Sequence, residues 1–389
     1  MSKVKIIDLG MHPFSDTFIS KEQLSLSEPI FPLNCYLDSV SSLITTGVKT
    51  SADDRYNLYD YSYTSSNSNF SRSHWNDYSE FLATKGYIDE TSSVIEIGSN
   101  DGYLSLQIKE KVKNIIGIDS SRYISDLAIK NGLYTIPEIF NSEQAIKIKN
   151  KHGRFNLIIA NNVLNHIDDL HDFCKAIDDL LDDEGRFIFE VPYWKYTVKD
   201  FKYDQIYHEH VNYFTLKSID FIFNKFNLFI EDFLEVDYHG GSLRVVISRS
   251  KKECYNLKQA IISEEKSGLF SLSTYINFQE KIEKDRSELI IKLHQINSEK
   301  IPIIAVGAAA KGNTFLNFHK LDSSVIDFVT DSSPHKIGKF TPLSRIEISS
   351  DEEVFKNYKN AYVLILSWNL LKPIKKKLKG LNSKLKFLN

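Results

Sequence analysis

"VIEIGSNDGYL" (residues 94–104) begins as a short apolar run, turns at Gly98, and after Gly102 continues with residues that can open a helix. A strand that passes through such a turn into a helix is the opening unit of a doubly wound sheet, which binds ligands at its strand carboxyl ends. The pattern continues on either side. "NIIGID" (114–119), "FNLIIANN" (155–162) and "RFIFEVPY" (186–193) read as further strands, separated by the helical stretches "GYLSLQIKEKV" and "YISDLAIKNG". "LHDFCKAIDDLLDDEG" (170–185) carries Phe173, Ala176, Ile177, Leu180 and Leu181 at helical spacing, with Gly185 as its stop. Alternation of this kind predicts an α/β fold, with a parallel sheet covered by helices on both faces.

A second strand-and-helix unit starts at "KIPIIAVGAAAKGNTFLNF" (300–318) and runs through "VIDFVTD" to "NAYVLILSW". Before it, residues 249–300 are charged and helical, with Ile282, Leu289, Leu293 and Ile296 on one stripe. Residues 1 to about 50 are broken by Gly10, Pro13, Pro29 and Pro32, which predicts a small irregular lobe of short extended pieces. The polar, aromatic stretch "YDYSYTSSNSNFSRSHW" (59–75) follows and reads equally as a functional loop or a linker. The expected organisation is a lobe over 1–70, a ligand-binding α/β domain over 71–248, a helical connector over 249–300 and a second Rossmann-like domain over 301–389.

Composition narrows the function classes. The 389 residues are 42% hydrophobic and 25% charged, ordinary for a globular protein. The 48 basic and 51 acidic side chains alternate to a net charge of −3, so no basic face points to nucleic acid or an anionic membrane. No run reaches the length of a membrane span, and the amino terminus lacks a signal-peptide core, so a cytoplasmic protein acting on small molecules, as monomer or homodimer, is expected. Cys35, Cys174 and Cys254 are far apart and odd in number, and read as free thiols.

The charge of the first turn separates two cofactor classes. Glu96 on the strand, with Asn100 and Asp101 between Gly98 and Gly102, would repel a dinucleotide pyrophosphate. S-adenosylmethionine has no phosphate and carries a sulfonium and an ammonium, so it tolerates those carboxylates, and the turn favours a methyl donor over NAD. Asp119 ends the next strand, 23 positions after Glu96, where an acid reaches ribose hydroxyls; a helix N-cap is its structural alternative. Asn161 and Asn162 end a further strand, where their amides would meet the amino acid portion of the donor or serve a turn.

"DQIYHEHVNYFT" (204–215) allows three readings: a metal site, an acid/base centre or the polar edge of a core. The His208 and His210 spacing matches no strong zinc signature such as HExxH. Lys311 in "GAAAKGN" lies in a glycine-bearing turn that departs from the phosphate-loop pattern GxxxxGK[ST].

Taken in order, "LGMHPFSDTF", "YTSSNS", "VIEIGSNDGYL", "IIANNVLNHI", "YDQIYHEH", "HGGSLRV", "GAAAKGNTFLNF" and "SPHKIGKFTP" resemble the S-adenosylmethionine-dependent sugar C-methyltransferases, which act on nucleotide-linked 4-keto deoxysugars. The likeness runs almost end to end. It implies a small zinc-binding amino-terminal domain, a central methyl-donor domain and a carboxy-terminal Rossmann-like domain, with the sugar nucleotide between the last two. One departure is plain: "FPLNCYLDSVSSL" has Asp38 and Ser41 where the family places a cysteine pair, and Cys35 alone cannot hold zinc. The lobe is therefore expected without its metal.

The same resemblance implies C-methylation at C3 through an enolate, with His210 as general base and His166 as second choice. Glu209 resembles an orienting or substrate-contacting carboxylate, and Tyr207 and Tyr63 resemble hydroxyl partners of the reacting sugar. His239, with Gly240 behind it, and Lys311 and Asn313 resemble substrate contacts. Sugar O-methylation and non-catalytic binding of donor or sugar nucleotide are the competing readings.

Overall fold

A computed structural model describes residues 3–48, 50, 64–66, 68–251, 254–358 and 360–389. The turn at 98–102 sits on a seven-stranded sheet built from β4 (Ser93–Ile97), β5 (Asn114–Ile118), β6 (Thr135–Ile136), β7 (Phe155–Asn161), β8 (Leu181–Pro192), β10 (Phe229–Val236) and β11 (Ser242–Ser248). Their order is β10-β11-β8-β7-β4-β5-β6. The run from β8 to β6 is parallel, while β11 lies antiparallel to both of its neighbours. Both faces are covered, which explains the continuous apolar runs of the central strands. Ile95, Ile97, Ile158 and Phe187 enter one core, and Val94, Leu157, Ile159 and Ile188 the other. The chain leaves β4 towards β5 on one side and returns to β7 on the other, so the crevice opens between the ends of β4 and β7.

The helix Leu170–Leu180 ends earlier than its expected stop. From Leu181 the chain is already strand β8, opposite Phe155, with an irregularity in register before Leu157 meets Arg186. Gly185 serves that irregularity instead of a helix end, because a Cβ there would lie 2.9 Å from the Phe155 carbonyl oxygen.

The second unit is a fully parallel sheet of β12 (Ile303–Val306), β13 (Phe328–Thr330), β14 (Ile348–Ser349), β15 (Tyr362–Ile365) and β16 (Lys386–Phe387), ordered β14-β13-β12-β15-β16. Its crevice lies between the ends of β12 and β15. The connector forms the helices Leu257–Lys266 and Leu272–Ser298. On the longer one, Tyr275, Phe278 and Ile282 pack with the amino-terminal lobe, whereas Leu293 and Ile296 pack with the carboxy-terminal sheet. Among the described residues, no helix is long and apolar enough to cross a membrane.

The amino-terminal lobe is more regular than its glycine and prolines suggest. β1 (Lys3–His12), β2 (Phe31–Asp38) and β3 (Ile44–Thr46) form an antiparallel sheet completed by β9 (Asn212–Tyr213) from the "YHEH" loop. Gly10, at φ 85°, falls in a register shift between Asp8 and Met11, and Pro32 stands next to the start of β2. The breakers thus occupy a bulge and a strand end, leaving Leu33, Cys35 and Leu37 to point inward. Cys35 is fully buried in this core, and Asp38 accepts the Val40 and Ser41 amides of the following turn. Burial pushes the Cys35 thiol far above its ordinary range.

Candidate active site

The first turn is held from both sides. Gly98 and Ser99 donate backbone N–H groups to the Ile118 carbonyl at 2.7 and 3.2 Å, and Asn100 N–H donates to Asp119 at 3.0 Å. Gly98, Asn100 and Gly102 all have positive φ. A Cβ on Gly98 would meet Val163 at 2.5 Å, so close approach requires glycine there. Asp119 also accepts Ser121 N–H at 2.9 Å, while Ser121 itself caps the next helix, so Asp119 braces the turn and is not the N-cap. Asp101 accepts the Ser65 hydroxyl at 2.5 Å and Ser66 N–H at 3.2 Å, and Asn100 Oδ1 accepts Ser65 N–H at 2.7 Å. Residues 65 and 66 therefore close over the turn. Glu96 lies beneath it, buried and hydrogen-bonded to Ser105, with burial raising its carboxyl to about 8.

At the end of β7, Asn162 has φ 55° and donates its backbone N–H to the Glu190 carbonyl at 2.7 Å. The Asn161 amide lies against the Tyr78 hydroxyl. The chain then forms a single turn over Leu164–His166, and the Asn165 carbonyl accepts Val211 N–H at 2.7 Å. That bond ties the "YHEH" loop to the segment leaving the sheet.

In the loop, the Tyr207 hydroxyl lies 2.6 Å from His210 Nε2, and the His166 ring packs edge-on to His210 with centroids 4.8 Å apart. His210 also bonds the Gln205 backbone, a donation that leaves Nε2 as the accepting nitrogen. Burial, then the neighbouring His166 and His239, holds His210 well below the usual histidine range, so it is neutral near pH 7. His166 Nδ1 donates to the Glu209 carbonyl at 2.7 Å. The Glu209 carboxylate accepts Asp16 N–H at 3.1 Å, and its second oxygen is buried without a partner among the described residues. Burial raises it to about 7. His208 lies apart from these groups, with Phe14 and Phe31 ringing it and the Pro13 and Pro32 carbonyls beside it. Tyr63 lies outside the described residues.

His239 has φ 50°, and its burial, with Lys311 and His74 nearby, lowers it to about 3. Gln205 donates to its carbonyl at 2.6 Å, and Lys202 donates to the Gly240 carbonyl at 2.6 Å. Gly240 carries the Trp368 ring so closely that a Cβ would lie 2.4 Å from it. Lys311 stands over that indole at 4.5 Å and bonds Asn369, with burial lowering it to about 8. Asn313 is buried in the first turn of the helix Ala310–Phe318, where its amide donates to the Ser15 carbonyl at 2.6 Å and bridges to the lobe.

Sequence reasoning missed two groupings. Glu190, fully buried, pairs with Arg244 at 2.6 Å and with His74 at 2.7 Å, and His74 stacks on Tyr238 at 3.8 Å. Asp204 accepts the Trp368 indole N–H at 2.6 Å. A glutamate inside the apolar "FIFEVP" was a usable signal for the first grouping; no local signal pairs residues 204 and 368.

Comparison with known proteins places chemistry on this geometry. A family profile described as "Methyltransferase domain" matches residues 70–232, and one described as "C-methyltransferase C-terminal domain" matches residues 237–387. The C-methyltransferase NovU of Streptomyces niveus is 27% identical over 368 residues, covering 94% of this chain and 87% of that protein. The protein is an S-adenosylmethionine-dependent C-methyltransferase. Solved structures similar to part of the enzyme include an S-adenosylmethionine-dependent methyltransferase from Anabaena variabilis, at 15% identity over 49% of this chain and 89% of that chain with TM-score 0.39. The magnesium protoporphyrin IX methyltransferase ChlM of Synechocystis with bound S-adenosylmethionine matches at 14% identity over 46% and 79% of the two chains, with TM-score 0.35.

The enzyme's first turn fits such a donor. It is lined by Asn100, Asp101 and Asp119 with no basic residue between 93 and 108, so its field favours a sulfonium and an ammonium. Ser99 Oγ and Asn162 Oδ1 are buried there without partners among the described residues, as acceptors for a polar ligand would be.

Proposed function

We propose that the enzyme methylates C3 of a 4-keto deoxysugar linked to a nucleoside diphosphate, in the cytoplasm. The observation that carries this reading is the Tyr207–His210 contact at 2.6 Å beside His166, on a loop bonded to the segment that leaves β7. A carbon next to a ketone becomes a nucleophile once a base removes its proton, and a neutral imidazole shielded from water suits that step. The proton leaving C3 reaches His210 Nε2 through the Tyr207 hydroxyl, which passes its own proton on as it takes the new one. Glu209, with one oxygen held by Asp16, orients a sugar hydroxyl with the other. His166, Tyr63 and His239 complete the wall around the sugar, and Gly240 lets Trp368 approach it.

S-adenosylmethionine supplies an electrophilic methyl group. The turn at Gly98, Asn100 and Gly102 would hold it, with Asp119 on the ribose and Asn161 and Asn162 on the amino acid portion, above Glu96. The new C–C bond forms as the S–CH3 bond breaks, leaving S-adenosylhomocysteine and one proton on the enzyme. Purified enzyme, donor and a set of nucleotide-linked 4-keto deoxysugars should give a product heavier by one CH2. In deuterated solvent without donor, exchange at C3 is expected; its absence in a substrate that is nonetheless methylated would turn the reading towards O-methylation.

A further inference from the structure

The two sheets carry the same turn with opposite charge. Gly98 N–H donates to the last residue of β5 at 2.7 Å, and Gly307 N–H donates to Thr330, the last residue of β13, at 2.8 Å. Asp119 accepts Asn100 N–H at 3.0 Å and Ser121 N–H at 2.9 Å. Asp331 accepts Ala308 N–H and Ser333 N–H, both at 2.8 Å. Four residues after each acid, Tyr123 and His335 meet across the gap between the units at 3.2 Å. Where the first turn has Asn100 and Asp101, the second has Ala308, Ala309, Ala310 and Lys311.

Independent of that turn, two cations converge on one indole at the same crevice. Lys311 Nζ lies 4.5 Å and Lys202 Nζ 5.3 Å from the Trp368 ring centre. Asp200 pairs with Lys202 at 2.6 Å near the surface, and Asp204 faces the Trp368 N–H. Two ammonium groups sharing a ring repel each other until an anion joins them, and burial sharpens that repulsion. Asn313 Oδ1, in a side chain only 1% exposed in the helix turn beside Lys311, has no partner among the described residues.

We infer that this second crevice is a nucleotide cradle, in which Asp331 accepts a ribose hydroxyl of the acceptor's nucleoside and Lys202 with Lys311 holds its diphosphate. The inference rests on the sugar-nucleotide reading above and assigns its nucleotide half. Acid in the first turn selects a cationic donor, and lysine in the second selects an anionic acceptor, on one backbone design.

Calorimetry on the full-length enzyme tests it with uridine diphosphate and thymidine diphosphate, their 3′-deoxy counterparts, and S-adenosylhomocysteine as a control for folding and the first turn. Loss of the 3′ hydroxyl, or Asp331→Asn, should weaken binding of at least one diphosphate about tenfold, and Lys202→Gln similarly, with S-adenosylhomocysteine unchanged. Should Asp331→Asn fail to fold, the 3′-deoxy comparison on the native enzyme decides. Equal binding with and without the hydroxyl, or no binding of either diphosphate, overturns the cradle. Methyl transfer failing with every keto sugar while the diphosphate dependence holds would sink the acceptor reading alone. Transfer with unchanged KM in both variants would sink the cradle alone.

Discussion

The methyl-donor turn and the "YHEH" loop are held in contrasting ways. Gly98 to Asp119 is a nearly self-contained strand, turn and helix, whose bonds run between neighbouring strands. Residues 204–215 form almost no regular structure of their own; β9 pairs with the lobe, Val211 with Asn165, Asp204 with Trp368, and Glu209 with Asp16. The donor turn can form wherever a doubly wound sheet forms. The loop is correct only when lobe, central sheet and carboxy-terminal unit have all docked, so proton transfer waits on assembly whereas donor binding does not.

That difference sets the largest expected effect. His210→Asn should lower kcat about a thousandfold by removing the accepting nitrogen, with S-adenosylhomocysteine affinity within about twofold of the parent. His166→Asn, one ring further out, should lose less, about tenfold. Single-turnover kinetics with titration of the donor product separates the two sites. If His166→Asn proves the more damaging, the base assignment passes to it.

Glu209 tests the assembled loop through pH. Its folded-state carboxyl, at about 7, lies above the ordinary 4.5, so between those values the folded protein holds a proton that the unfolded chain releases. Stability therefore falls as pH rises through that window, by about 3 kcal/mol if the whole shift is expressed. Glu209→Gln should flatten that part of the curve in denaturant melts from pH 4.5 to 7. Glu96, at about 8 from the same cause, would leave its own slope extending to higher pH in the variant. An unchanged slope would mean that Glu209 is better solvated than its burial indicates.

The self-contained turn should respond more mildly. Replacing Ser65 and Ser66 together by Ala removes the hydroxyls on Asp101 while leaving its strand and helix intact. Donor affinity should weaken about tenfold with kcat at saturating donor little changed. A fall in kcat instead would mean that residues 65 and 66 also serve the loop.

Legibility in the sequence follows the same division. Both parallel units could be read because each is contiguous and strictly patterned, and the charge of "GSNDG" already indicated the donor class. The lobe was harder, since Gly10 and Pro32 signal breaks and only pairing shows that a bulge and a strand end absorb them. The contacts that shape the loop were invisible for a simpler reason. Asp204 and Trp368 are 164 positions apart, and Glu190 meets Arg244 and His74 only through the sheet and the helix laid against it. No local period encodes such a pairing.

Within the loop, the two histidines sharpen the comparison on the smallest scale. His208 is 1% exposed, enclosed by Phe14 and Phe31 and flanked by the Pro13 and Pro32 carbonyls, so its ring joins the loop to the lobe. His210, two residues on, turns to Tyr207 and His166. His208→Phe keeps the aromatic contacts and leaves a buried carbonyl without its donor, a change that costs about 1–2 kcal/mol. The denaturation midpoint should drop accordingly while kcat stays within about twofold. A large loss of kcat at unchanged stability would show that both histidines face the reacting sugar, and that the lobe is held to the loop by β9 alone.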